Sequence, residues 1–135
     1  MAAASASTAV ADSIWREIKS SRSVSDDHLA NLHLLFGDNL ESATIIVDQG
    51  GVQKHTGNPS GRFIFKVVGK SKETEKYICF PGHFCTCHSF FYDVVSKGER
   101  LFCKHQIAFK LAEAAGMCKE VSITDEKLAE ILSEI

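Results

Sequence analysis

Apolar side chains recur along this chain at two different periods, and the change of period divides it. In "VADSIWREIKSS", Val10, Ile14 and Ile18 stand at i, i+4 and i+8, one stripe of a short helix over residues 10–21. In "SDDHLANLHLLFG", Leu29, Leu32, Leu35 and Phe36 form an apolar face. Ser25 is placed to cap that helix, Asp26 and Asp27 complement its positive end, and Gly37 is a plausible stop. A third helix is expected from Asp38, with Glu41 completing a capping-box-like pair, up to Gly50 and Gly51. The period then drops to two. "VQKHT", "RFIFKVVG" and "KYICF" are short, rich in strand-forming residues and separated by the turn-like "GNPSG" and "GKSKETE". They predict a three-stranded antiparallel sheet, with Phe63, Phe65 and Val67 alternating against Ile64 and Lys66.

Helical spacing returns further on. "HSFFYDVVSKG" suits a short helix ending at Gly98. "KHQIAFKLAEAAG" suits a stronger one, with Ile107, Ala108, Leu111, Ala112 and Ala115 on one face and Gly116 closing it. A last helix is capped by Thr124; Ile123 and Leu128 are spaced as a hydrophobic staple, and Leu128, Ile131, Leu132 and Ile135 repeat at i, i+3, i+4 and i+7. Helices flanking a small antiparallel sheet make an α+β fold. The expected organisation is a flexible tail over 1–9, a helical region over 10–50, a sheet with the cysteine-rich motif over 51–118, and a C-terminal helix over 119–135. There are no internal repeats.

Composition adds little until charge is resolved by position. The chain has 135 residues, 44% hydrophobic and 24% charged, as in an ordinary soluble domain. No apolar run approaches the ~20 residues that span a bilayer, so no membrane is expected. "MAAASASTAVA" reads as a tail and not as a secretory signal. The net charge of −2 hides an asymmetry. Residues 1–50 hold three basic and seven acidic side chains, net −4; residues 51–119 hold eleven and five, net +6; residues 120–135 hold one and five, net −4. The middle of the chain is therefore basic. Lys97, Arg100, Lys104 and Lys110 surround the cysteine-rich motif as candidate nucleic-acid contacts, and Lys54, Arg62, Lys66, Lys70, Lys72 and Lys76 populate the sheet and its turns. Phe84, Phe90, Phe91 and Phe102 lie among them, better suited to the core than to base stacking. "GKS" at 69–71 is not a P-loop, because the required earlier glycine is Ile64.

The chemistry gathers between residues 83 and 109. Cys85 and Cys87 stand one residue apart, and so do Cys103 and His105. Side chains at i and i+2 of an extended segment point the same way, so each pair can face one ion. An odd count of five cysteines in a chain expected to be intracellular favours metal over a disulfide framework. Three sulfurs and one imidazole form the closed tetrahedral set preferred by one structural Zn²⁺ ion, leaving no open position for catalysis. His83 and His88 compete for the fourth position, Cys79 belongs to an apolar strand, and Cys118 has no local partner. No enzymatic activity is expected. Trp15 is either a partner anchor or a core residue.

With "CTC" and "CKHQIAFKLA" in place, the chain resembles the SWIM-type zinc finger: C-x-C, a variable gap, then C-x-H opening an apolar helix. The helices ending in "LFG", the strands around "PSGR" and the terminal helix extend the likeness over residues 24–135. The whole resembles the small SWIM-domain subunit of Shu-type homologous-recombination mediator complexes. His88 stands where many such fingers have Pro. The resemblance implies that Cys85, Cys87, Cys103 and His105 hold zinc. It further implies a nuclear, non-catalytic heterodimer partner of a RecA-like recombinase paralogue ATPase, binding single-stranded DNA through the complex and promoting recombinase filament assembly. An autonomous DNA-binding SWIM module, of the transposase-related or transcriptional kind, is the alternative. A SWIM adaptor of a ubiquitin ligase would need a RING-like module that this sequence lacks.

Overall fold

A computed structural model of the chain describes residues 2–68, 76–80, 84–87, 94 and 102–134. Three helices come first: α1 (Ala2–Ser21), α2 (Asp26–Phe36) and α3 (Asp38–Asp48). Residues 2–9 of the expected tail over 1–9 are instead the first part of α1. Its buried stripe is Ala11, Ile14, Trp15 and Ile18, while Val10, expected on that stripe, is 51% exposed. Spacing i, i+3, i+4, i+7 fits one helix face better than a strict step of four. Trp15 stacks on Phe36 with ring centroids 6.2 Å apart, so it is a core residue.

Capping explains where α2 begins. The Ser25 hydroxyl accepts the His28 N–H at 3.1 Å, and His28 Nδ1 accepts the Ser25 N–H at 3.1 Å. Histidine thus fills the place that Glu or Gln holds in the usual box. His28 Nε2 also lies 3.2 Å from Glu17, tying α2 to α1. Gly37 ends α2 and begins α3 at φ +61°, a conformation that side chains disfavour. Because Gly37 occupies the cap, α3 has no side-chain cap hydrogen bond, and the pair expected at Asp38 and Glu41 does not form it.

Among the described residues the sheet has five strands in the order β4-β3-β2-β1-β5: β1 (Val52–Asn58), β2 (Phe63–Val68), β3 (Lys76–Phe80), β4 (Phe84–Cys85) and β5 (Lys119–Thr124). The first three strands pair antiparallel as the sequence suggests, with Val52 opposite Val67 and Phe65 opposite Cys79. The α+β class holds, but the sheet is mixed. β5, in a segment expected to be helical, runs parallel to β1 with Val121 opposite His55. A parallel neighbour requires a crossover, and α4 (Lys104–Ala115) supplies it, closing at Gly116 in the left-handed conformation. α5 (Asp125–Ser133) comes directly after β5. As expected, the Thr124 side chain caps it, accepting the Lys127 N–H at 3.1 Å.

α4 is the shared wall of the fold. One side meets α1 and α3, and the other meets strands β1 to β4. Phe109 lies face to face with Phe65, centroids 4.5 Å apart, and both are at most 1% exposed. Alternation along β1 and β2 sends His55, Gly57 and Ile64 to the opposite face. There Leu128 of α5 packs so closely on Gly57 that an added Cβ would come within 3.0 Å of it. The Asp125 carboxylate accepts the Ser60 N–H at 3.1 Å and its hydroxyl at 2.6 Å, fastening the "PSG" turn to the start of α5. The expected helix over 88–98, the "GKS" segment and Ile135 lie outside the described residues, although Val94 is described and buried.

Removing the Phe109 ring leaves a cavity between α4 and β2. Phe109→Ala is expected to lower stability by about 3–5 kcal/mol in urea unfolding. Leu34→Ala, at a position 83% exposed, is expected to stay within about 0.5 kcal/mol.

Candidate metal centre

Two local structures bring the four ligands together. The β3–β4 ladder ends at Cys85, and the residue just beyond it, the middle one of "CTC", is pinned to β3. Thr86 donates its N–H to the Ile78 carbonyl at 3.1 Å and accepts the Ile78 N–H on Oγ1 at 3.1 Å. That double contact holds Cys85 and Cys87 to either side of a fixed point. The second half is the start of α4, where Cys103 is the N-cap residue with extended backbone and His105 lies in the first turn. Gln106 Oε1 accepts the Cys103 N–H at 2.9 Å, and Asn39 of α3 donates to the Phe102 carbonyl at 3.2 Å. Asn39 and Gln106 are supports that sequence spacing did not reveal, because neither belongs to a ligand pattern.

Cys85, Cys87, Cys103 and His105 are all buried, and their ligand atoms all lie within 4.8 Å of one another. Cys85 Sγ is 3.8 Å from His105 Nδ1. A tetrahedron with metal–sulfur bonds of ~2.3 Å has edges of about 3.8 Å, so the cluster has the dimensions of a filled zinc site. Electrostatics point the same way. The Cys103 thiol is pushed up by hydrogen bonding to Cys85 and Cys87 and by burial. At Cys85 the contact with Cys103 favours the thiolate, but Cys79, Cys87 and burial together outweigh it and raise the thiol as well. Sulfurs packed this closely do not all ionise by themselves. A divalent cation supplies the missing charge, and the N-terminus of α4 adds its dipole. The cluster holds one structural zinc ion.

The imidazole is oriented in an unusual way. Metal-bound histidines generally donate from the second ring nitrogen to a carboxylate or carbonyl, yet among the described residues the buried His105 Nε2 has no hydrogen-bond partner. Its ring instead lies against Tyr77 of β3, centroids 4.1 Å apart and planes inclined by 25°. Stacking fixes the ring plane where a hydrogen bond would otherwise fix the nitrogen.

The remaining sequence candidates divide. Cys79 is fully buried in the core as expected, and Cys118 is half-buried away from the cluster, its thiol pushed up to about 11 by burial and by Glu113 and Glu120, against a smaller opposing pull from Lys54. Phe102 is buried against Phe36, centroids 5.5 Å apart, and belongs to the core. Lys104 and Lys110 are partly exposed on α4, and Lys110 Nζ lies 5.3 Å from the Phe109 ring centroid. His83, His88, Phe90, Phe91, Lys70, Lys72, Lys97 and Arg100 lie outside the described residues, as does the side chain of Phe84. Among the described residues no helix is long and apolar enough to cross a membrane.

Metal removal is expected to unfold the hairpin and α4 together, because zinc sites contribute ~10–16 kcal/mol in finger peptides while whole domains are stable by ~5–15 kcal/mol. Elemental analysis should find one zinc per chain, and none in Cys87→Ser or His105→Ala. Circular dichroism should show both variants losing helicity. Acidification should release the metal, since protons compete for thiolate and imidazole; retention of full helicity without zinc would contradict this.

No family model matches the chain, and no solved structure matches it. It is 32% identical over 116 residues to human zinc finger SWIM domain-containing protein 7, covering 85% of this chain and 81% of the relative. Identity to the Danio rerio protein of the same name is 37% over 120 residues, 88% of this chain and 81% of the relative. The Dictyostelium discoideum homolog is 30% identical over 119 residues, 87% and 75% of the two chains. At these identities and coverages, and with a Cys/His cluster of zinc-site dimensions at its centre, the chain belongs to the zinc finger SWIM domain-containing protein 7 family.

Proposed function

We propose that the protein is a non-catalytic zinc-binding subunit of a nuclear recombination mediator. In this reading it pairs with a RecA-like recombinase paralogue, the complex binds single-stranded DNA, and recombinase filament assembly is promoted in homologous-recombination repair. The observation that carries the reading is the closed Cys₃His set joining the hairpin to α4. All four positions of a tetrahedral ion are taken by protein, which suits a structural ion and leaves no site for a metal-bound water. ATP chemistry then falls to the partner.

Two surface features support a role in an assembly. Val10 and Leu34, 51% and 83% exposed, flank one groove between α1 and α2, whose other lining residues include Ile14, Glu17 and Leu35. Exposed apolar side chains grouped in this way suit a protein contact. Basic groups meet where α5 covers the sheet: Lys66 of β2 is pushed down by burial and by repulsion from Lys76 of β3 and Lys127 of α5, partly relieved by Glu134. Such a cluster favours a phosphate backbone without selecting a sequence.

Affinity purification of the tagged full chain, followed by mass spectrometry, is expected to recover a RecA-like ATPase. His105→Ala is expected to lose it. Recovery of no such ATPase by the wild-type chain would overturn the proposal. Binding of single-stranded DNA should be weak for the chain alone and salt-sensitive for the complex. If Lys104 and Lys110 touch phosphates there, each Lys→Ala change lowers the slope of log K against log salt by about 0.7. Tight, sequence-specific duplex binding by the chain alone would favour an autonomous DNA-binding module instead.

A further inference from the structure

The inner face of β3 meets both halves of the metal centre. Tyr77 stacks on His105. Two residues along, Cys79 stands opposite Cys85 across the β3–β4 ladder. The Thr86 N–H bonds the Ile78 carbonyl, which makes 78 and 86 the hydrogen-bonded pair. Cys79 and Cys85 are therefore the next, non-hydrogen-bonded pair, the register in which opposed Cα atoms lie about 4.5 Å apart and side chains come closest. Both residues are 0% exposed. Cys79 is not one of the four mutually close ligands, which already complete a tetrahedral set. It is a fourth sulfur, buried and adjacent to a ligand.

A thiol in that position has one useful chemistry. The S–H group is a weak donor, and a thiolate bound to zinc keeps excess negative charge that a donor can neutralise. Both side chains are closed to bulk solvent, which favours a donor supplied by the protein. Without an ion this contact raises the Cys85 thiol, as it does when Cys85 is the donor and Cys79 the acceptor. We propose that Cys79 is a positioning residue of the metal centre and that metal binding reverses these roles, the Cys79 thiol donating an S–H···S hydrogen bond to Cys85 once that sulfur is held as a thiolate. The bond fixes the direction of the Cys85 sulfur and draws charge from it. β3 then orients one ligand from each half, Cys85 by a hydrogen bond and His105 by a ring. This inference concerns the ion site alone and stands apart from the recombination role.

The test loads the full-length chain with Co²⁺, whose sulfur-to-metal charge-transfer band reports charge on the thiolates, and measures Zn²⁺ affinity by competition with a chelator. Cys79→Val keeps an apolar group but loses the donor, and Cys79→Ser keeps a donor. The expected result is about tenfold weaker zinc binding and a band shifted to lower energy for Cys79→Val. Cys79→Ser should bind within about threefold of wild type with its band unshifted or at higher energy. Wild-type affinity and band position in Cys79→Val would overturn the proposal. So would equal weakening of both variants with no band shift, the result of a packing role alone. Should Cys79→Val not fold, the band of Cys79→Ser decides: displacement to lower energy overturns the hydrogen bond.

Discussion

Three sulfurs and one imidazole drawn around a single point connect parts of the chain that would otherwise have little to hold them in register. β4 is two residues long, and a ladder so short contributes little by itself. Its position depends on the ligands at and beyond its end. Cys85 and Cys87 lie there and Cys103 and His105 at the start of α4, so closing the cluster fixes the hairpin against the helix. α4 is also the helix on which α1, α3 and four strands pack. Local ion chemistry therefore sets the position of the principal core element.

From that helix the other layers are built outward. Phe65 and Phe109 join α4 to the sheet, while Trp15, Phe36 and Phe102 form a run of rings from α1 through α2 to the residue before Cys103. The metal site and the helical layer thus share a wall, and Asn39 adds a hydrogen bond across it. A small domain buries a limited fraction of its surface, so a bound ion that removes conformational freedom at a junction has a large proportionate effect.

The sequence was informative wherever one residue type serves one local purpose. Ser25, Gly37, Thr124 and Gly116 mark helix ends because capping and left-handed backbone are properties of a few neighbouring atoms. The ligand set was equally legible, since C-x-C and C-x-H each place two donors on the same side. β5 was not. "KEVSIT" has only Val121 and Ile123 as apolar positions, and its place in the sheet comes from β1, some sixty residues earlier in the chain. The extent of α1 was also hidden, since its small N-terminal residues show no clear stripe.

Taken alone, the sequence determined the α+β class, the three antiparallel strands, the caps of α2 and α5 and the side chains that cluster as candidate ion ligands, all consequences of spacing and side-chain chemistry over a few residues. Tertiary structure decided that Trp15 faces the core, that β5 lies parallel to β1, that Tyr77 holds the His105 ring, and that Cys79 stands beside Cys85. These are relations between segments distant in the chain or across a hairpin. Their energies depend on which faces meet, and no local pattern carries that information before the chain has folded.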